Sequence, residues 1–324
     1  MKPIAEAGEE KVRFAGAAGP LAGTFGTPVG PARGAVLIIA GSGAIDRDGN
    51  AKRLRMNIYR DLARQLEADG FYTLRYDKRG VGESPGDALT VGLWDRVDDA
   101  LAAVRYLRER AVDAKCRVII LGHSEGCILA AAANARESVE GLVLLAGPCE
   151  SLAATSPRQQ EQALEELRQM RGFAGFLIRL LRVPESQTRK ARATMERILH
   201  AERPWIRISG VKMNVRWIQE HFAYDVAQDL PKVTCPTLAI TGEKDVQVLP
   251  EHARKIADTV AGPSEWHVIP DMTHALRRTE EPIRMLSLVK LYKRQCQEPI
   301  DQELLDIVHD WLGAYFPPVG APAS

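Results

Sequence analysis

A serine flanked by glycines at fixed spacing is the strongest chemical signal in this sequence. It lies in Gly122-His123-Ser124-Glu125-Gly126, a G-x-S-x-G pattern between an apolar run and a stretch of small residues typical of a helix. A strand-to-helix turn this tight leaves no room for side chains two residues before or after the serine, hence the two glycines. The helix N-terminus also favours negative charge. We therefore predict that Ser124 is a nucleophile.

A serine hydroxyl becomes a good nucleophile only when a base takes its proton. Seven histidines are available. His274 is the best placed, because its loop (IPDMTHAL) begins where the last predicted strand ends. The chain order serine, acid, histidine then fits a hydrolase built on a parallel sheet. His123, next to the serine, is predicted to point away from it. We predict His274 as the base.

An acid that orients this histidine should follow a neighbouring strand. Asp245 fits because it comes directly after the apolar run PTLAIT. The alternatives are Glu150, Glu243 and Asp271, which also lie in loops after predicted strands. Asp245 is the predicted acid, and its sequence context is also compatible with a simple surface turn.

Two backbone N–H groups should stabilise the oxyanion that forms when the serine attacks. One belongs to the residue after the nucleophile, Glu125, and the other to the loop after the first parallel strand. That loop reads Gly41-Ser42-Gly43. We predict the amide of Ser42, with Gly43 as the alternative. The side chain of Glu125 is predicted to be an ordinary acid of a first helical turn, without a role of its own.

The elements that must position these residues alternate between strand and helix. Continuous apolar runs predict buried parallel strands, and helical stripes such as Leu54, Ile58, Leu62 and Leu66 predict the helices between them. Residues 11–33 suggest an antiparallel ribbon before this rhythm begins. The fold class is α/β, with a mostly parallel sheet and helices on both faces.

The strand-helix rhythm stops near residue 151 and resumes near 231. The segment between is predicted to be helical and without strands, so residues 1–150 and 231–324 form the core and residues 151–230 an inserted cap. Phe173, Phe176 and Leu177 are candidates for lining an acyl pocket under the cap, or for anchoring it. Residues 151–215 contain twelve Lys and Arg against six Asp and Glu. That excess indicates either contacts to anionic substrates or a solvated face.

Composition narrows the classes of partner. Forty-three basic and forty-two acidic side chains nearly cancel, so nothing indicates binding to nucleic acid or to a membrane surface. No apolar run is long enough to span a bilayer. Five cysteines at irregular spacing, with no secretion signal evident, predict free thiols and a cytoplasmic location. Motifs for metals or nucleotide cofactors do not occur, so we expect no cofactor.

Three further stretches, read together with the serine motif, carry a family resemblance. They are Gly41–Asn50 (GSGAIDRDGN), Tyr76–Ser84 (YDKRGVGES) and Gly242–Val248 (GEKDVQV). The chain resembles the α/β-hydrolase family, and within it the group of bacterial esterases and serine-aminopeptidase-like proteins. This resemblance implies hydrolysis of a small-molecule carboxylic ester through an acyl-enzyme intermediate. The alternatives are a thioesterase acting on acyl-CoA, an aminopeptidase or amidase, an acyltransferase with the same residues, or a non-catalytic binding module.

Overall fold

The computed structural model describes residues 8–111 and 117–318. Its strands are β1 (Glu9–Gly16), β2 (Gly19–Gly26), β3 (Gly34–Ile39), β4 (Asn50–Ala51), β5 (Leu54–Arg55), β6 (Phe71–Tyr76), β7 (Val118–His123), β8 (Gly141–Leu145), β9 (Trp205–Ile208), β10 (Val211–Asn214), β11 (Thr237–Gly242) and β12 (Ser264–Ile269). Its α-helices are α1 (Ile58–Ala68), α2 (Leu93–Arg110), α3 (Glu125–Asn134), α4 (Leu152–Arg168), α5 (Gly172–Leu180), α6 (Val183–Leu199), α7 (Val215–Ala223), α8 (Glu251–Thr259), α9 (Leu288–Gln295) and α10 (Gln302–Tyr315).

Eight of the strands form one sheet in the order β1-β2-β6-β3-β7-β8-β11-β12. From β6 to β12 the neighbours are parallel, whereas β1 and β2 form an antiparallel hairpin that joins the sheet through β6. The central strands β3, β7 and β8 are buried at every residue, because helices cover both faces. The predicted fold class and the antiparallel ribbon are confirmed.

The two faces of the sheet each carry an apolar core. Helices α2, α3 and α8 pack on one face, with Val97, Val104 and Leu129 fully buried. Helices α1 and α10 pack on the other, with Leu62 and Leu304 among its buried residues. The sheet is therefore a rigid platform, and the loops at the carboxyl ends of its parallel strands share one edge.

The predicted helical stripe that began at Leu54 was wrong at its start. Leu54 does not continue the stripe of α1, because it lies in the small hairpin β4–β5 and the helix begins only at Ile58. Asn50 and Asn57 close this hairpin: the Asn50 amide donates to Asn57 Oδ1 (3.1 Å), and the Asn57 N–H donates to Asn50 Oδ1 (2.9 Å). Asn57 also has a left-handed backbone conformation (φ 52°), which interrupts any helix.

The segment between β8 and β11 contains helices α4 to α7, as predicted, but also the antiparallel hairpin β9–β10, which was not. Ser209 and Gly210 make its turn with positive φ angles of 49° and 84°. No strand residue of this hairpin is fully buried, so the sequence carries no clear alternation there. Within the described residues, no helix is long and apolar enough to cross a membrane.

Candidate active site

Ser124 lies in a sharp turn between β7 and α3. Its φ and ψ angles are 56° and −118°, a conformation that a residue with a side chain adopts only under constraint. A Cβ atom on Gly122 would lie 2.4 Å from the carbonyl oxygen of Gly126, and one on Gly126 would lie 2.2 Å from that of Ile39. The steric reason given for the two glycines is therefore confirmed. The turn lifts the serine side chain to the carboxyl edge of the sheet.

The structure brings Ser124, His274 and Asp245 into one hydrogen-bonded chain. His274 Nε2 lies 3.0 Å from Ser124 Oγ, and His274 Nδ1 lies 2.7 Å from Asp245 Oδ2. The Asp245 side chain is fully buried, and its other oxygen accepts the N–H groups of Gln247 (2.8 Å) and Val248 (2.9 Å). These bonds fix a carboxylate that holds the Nδ1–H tautomer, which leaves Nε2 free to take the serine proton.

The three alternative acids have other partners. Glu150 pairs with Arg158 at 2.6 Å, and Asp271 pairs with Lys244 at 2.6 Å. Glu243 accepts the N–H of Asp271 at 3.4 Å. Each lies near the same sheet edge, as the sequence indicated, but Asp245 is the carboxylate hydrogen-bonded to His274.

A cavity of about 170 Å³ opens on the serine. Its walls come mostly from the loop between β3 and α1, together with residues beyond β11 and β12: Gly41, Ser42, Ile45, Gly49, Ala51, Leu54, Met56, Ile58, Tyr59, His123, Ser124, Gln247, His274, Ala275 and Tyr292. Phe173, Phe176 and Leu177 are not in this lining, and they are 76%, 53% and 36% exposed. Ala51 and Leu54 of hairpin β4–β5 are in the apolar part of this lining, which includes no residue of helix α5. The three cap residues therefore do not line this cavity, and their other predicted role, anchoring the cap, stays a prediction.

The predicted oxyanion loop lies against Ser124. A Cβ on Gly41 would be 3.3 Å from the Ser124 Cβ, and both Gly41 and Ser42 line the cavity. Gly43 follows with a positive φ of 88° and is not part of the lining. Glu125 begins α3, so its N–H is one of the first helical donors and has no carbonyl within the helix to bind. This placement favours the N–H of Ser42 over that of Gly43 as the predicted second donor to the oxyanion.

Tyr59, which the sequence analysis did not name, and His123 connect this loop to the histidine loop. The Gly41 N–H donates to Tyr59 Oη (2.8 Å), Tyr59 Oη lies 3.0 Å from His123 Nδ1, and His123 Nε2 lies 2.9 Å from the carbonyl oxygen of His274. Burial, and then the neighbouring His274, lower the pKa of His123 to about 3, so its ring is neutral. The Tyr59 hydroxyl therefore donates to Nδ1, and Nε2–H donates to the carbonyl. His123 does point away from Ser124, as predicted.

Removing one link of this chain should loosen the site. We expect Tyr59→Phe to lower kcat about tenfold, because the Gly41 N–H and His123 Nδ1 lose their partner. The unpaired buried groups should also cost about 1–3 kcal/mol of unfolding free energy. Denaturant unfolding and ester turnover check both effects. Tyr106→Phe, a half-buried tyrosine stacked on Phe14 away from the site, is the matched control, and equal losses in both variants would contradict this role.

The prediction for the Glu125 side chain was wrong, because this carboxylate is buried and multiply bonded. It pairs with Arg96 of α2 (2.6 Å), accepts Trp217 Nε1–H (2.6 Å), and lies 3.1 Å from His221 Nε2. Burial alone would raise the pKa of Glu125, but Arg96 and His221 hold it far below its usual value. Trp217 and His221 belong to α7, so Glu125 anchors that helix to the turn at Ser124. No sequence pattern could show this, since the partners lie 29 to 96 positions away.

The other residues that could bind a metal or react as thiols are the remaining His, Cys, Asp and Glu side chains of the described ranges. Within residues 8–111 and 117–318, no group of His, Cys, Asp or Glu is arranged to hold a metal ion. Cys127, Cys149, Cys235 and Cys296 are free thiols, and burial raises the pKa of both Cys149 and Cys235 to about 11. Cys116 lies outside the described residues.

Comparison with solved structures agrees with this architecture. An α/β hydrolase from Penicillium sp. sh18, GrgF, superposes with a TM-score of 0.60 at 17% identity over 95% of this chain and 99% of that one. The esterase Pf2001 of Pyrococcus furiosus superposes with a TM-score of 0.56 at 13% identity over 96% and 94%. The fold is the α/β-hydrolase fold.

The family follows from the sequence match. The model of the family described as "Serine aminopeptidase, S33" matches residues 54–281, and the chain belongs to this family. A curated relative, Esterase EstD of Thermotoga maritima, is 26% identical over 280 residues, which is 86% of this chain. The match spans 61% of that esterase's own length.

Proposed function

We propose that this protein is a serine hydrolase that cleaves small carboxylic esters through an acyl-enzyme intermediate. The observation that carries the proposal is the chain Asp245–His274–Ser124, whose serine end opens on an apolar cavity. The similarity to the Thermotoga maritima esterase supports the choice of an ester as substrate.

Each residue then has a defined role in the reaction. Ser124 Oγ attacks the ester carbonyl carbon while its proton passes to His274 Nε2, and the buried Asp245 stabilises the imidazolium. The N–H groups of Ser42 and Glu125 hold the oxyanion. Collapse of the tetrahedral intermediate returns the proton to the leaving alcohol. Water, deprotonated by His274, then attacks the acyl-enzyme, releasing the acid and restoring the serine.

The size and chemistry of the cavity favour short, uncharged acyl groups. Its volume of about 170 Å³ is well below the roughly 300–1,000 Å³ of pockets for drug-sized ligands. Of the described residues in its wall, none is Asp, Glu, Lys or Arg. An aminopeptidase needs a carboxylate to bind the substrate's ammonium group, so this lining argues against that alternative. Thioesters of short acids remain the closest one, because the same residues would cleave them.

Acyl-chain length tests this proposal. We expect kcat/KM for nitrophenyl esters to be highest for acyl chains of about two to four carbons and to fall at least tenfold by eight carbons, because longer chains cannot enter. Leu54→Ala should shift the optimum toward longer chains by opening the β4–β5 wall. Leu177→Ala, a similar change outside the lining, is the control. An optimum that moves with Leu177 and not with Leu54 would place the acyl site under the cap.

We further propose that residues 151–230 act as a cap on the core formed by residues 1–150 and 231–324. Gln159 of α4 donates to the carbonyl oxygen of Gln247 (2.8 Å), a residue of the cavity wall, and Trp217 of α7 contacts Glu125. These contacts support a cap that touches both sides of the site.

We also propose a reducing, cytoplasmic compartment. The four free thiols in the described residues agree with it.

A further inference from the structure

Lys78 is a buried cation that the mechanism above does not use. It follows β6 in the stretch Tyr76–Ser84, is only 5% exposed, and its Nζ lies 2.5 Å from the carbonyl oxygen of Gly41. Burial lowers the pKa of Lys78 to about 8, while Glu125 acts in the opposite direction and Arg96 adds to the lowering. The amine is therefore mostly protonated at neutral pH, beneath the loop that leads to the cavity.

The bond to Gly41 fixes the direction of the next amide. In a trans peptide the carbonyl of one residue and the N–H of the following residue point in opposite directions. The Gly41 carbonyl points to Lys78, which is not among the residues that line the cavity. The N–H of Ser42 therefore points away from Lys78. Gly41 and Ser42 both line the cavity, and Gly41 lies against Ser124.

The peptide bond between Ala40 and Gly41 is also fixed, because the Gly41 N–H donates to Tyr59 Oη at 2.8 Å. The two bonds come from different elements, since Tyr59 belongs to α1 and Lys78 follows β6. A glycine at this position has wide conformational freedom by itself, so its orientation depends on such external partners. Both amides around Gly41 are thus set before any substrate arrives.

We propose that Lys78 is a positioning residue of the oxyanion hole: by binding the Gly41 carbonyl, it turns the Ser42 N–H toward the oxygen of the reacting ester. This inference rests on the proposed function and selects Ser42 over Gly43 as the second donor. Lys78 does not touch the substrate. Its effect is strongest in the tetrahedral state, where the oxyanion carries most charge.

The test is Lys78→Met, which keeps the length of the side chain and removes the donor. Loss of an oxyanion donor costs about 10²–10³ in kcat, and a donor that is present but no longer fixed should cost about 10–100-fold. We expect this loss in kcat per active site titrated with fluorophosphonate, with KM changed less than threefold. The affinity for a trifluoromethyl ketone, whose adduct with Ser124 carries an oxyanion, should fall by the same factor as kcat.

Lys255→Met, which changes an exposed lysine of α8 outside the cavity lining, is the control and should retain wild-type values. If K78M does not fold, Lys78→Leu, which also lacks a donor, carries the test with the same readouts. A kcat within twofold of wild type, or a fall in kcat without a matching fall in ketone affinity, overturns the inference.

The rate of fluorophosphonate labelling separates this inference from the proposed function. If the wild type is labelled but hydrolyses no ester, the ester proposal fails while slower labelling of K78M still supports the role of Lys78. Equal labelling rates in K78M and wild type overturn that role, and a wild type that is not labelled overturns both proposals.

Discussion

Ser124→Ala should reduce ester turnover by about 10⁴–10⁶-fold and abolish labelling by a fluorophosphonate probe. The reason is that the attacking Oγ, 3.0 Å from His274 Nε2, is the only atom removed. The fold should remain intact, because alanine keeps the Cβ that packs against Gly41. Relief of the constrained φ of 56° is not expected, since alanine has the same backbone preference.

The measurement is kcat with a short nitrophenyl ester, together with gel detection of the labelled protein. Ser42→Ala is a matched control: it removes a serine hydroxyl in the same cavity but keeps the backbone N–H that we propose as the donor. That variant should keep its labelling and most of its activity. If Ser124→Ala is still labelled, the nucleophile is another residue and the proposed mechanism is wrong.

His274→Ala should be about as severe as the serine variant, because His274 Nε2 is the base hydrogen-bonded to Ser124 Oγ in the described part of the chain. Asp245→Asn should be milder by about one to two orders of magnitude. In that variant the side chain can still hold the imidazole, but an amide that donates to Nδ1 selects the wrong tautomer. The carboxylate also no longer stabilises the imidazolium.

The control for this pair is Asp271→Asn, which changes a carboxylate in the same loop as His274 that pairs with Lys244 instead. It should leave kcat nearly unchanged. Stopped-flow measurement of the acylation step isolates the chemistry from product release. If Asp271→Asn lowers kcat strongly while Asp245→Asn stays active, Asp271 and not Asp245 is the acid that orients His274.

The sequence by itself determined the fold class and the three residues brought together at the sheet edge. Strand residues of β3, β7 and β8 face helices on both sides, so they had to be apolar throughout, and that pattern is visible without coordinates. The glycines around Ser124 are forced by contacts within a few residues of the turn and one strand away. Because parallel strands end at the same edge of a sheet, the loops after β11 and β12, which carry Asp245 and His274, lie at one edge.

Tertiary structure alone decided how those residues are supported and what the cavity admits. Lys78 binds Gly41 across 37 positions, His123 reaches the His274 carbonyl across 151, and Glu125 reaches Trp217 across 92. The local sequence does not identify these partners, because a lysine or glutamate that becomes buried cannot be distinguished in the sequence from one that stays exposed. Part of the cavity wall, Ala51 and Leu54, comes from a hairpin closed by Asn50 and Asn57, where the helical stripe through Leu54 was misleading. Such contacts form when elements that are distant in sequence pack together. The hydrophobic periodicity of any one segment does not show which distant element it will contact.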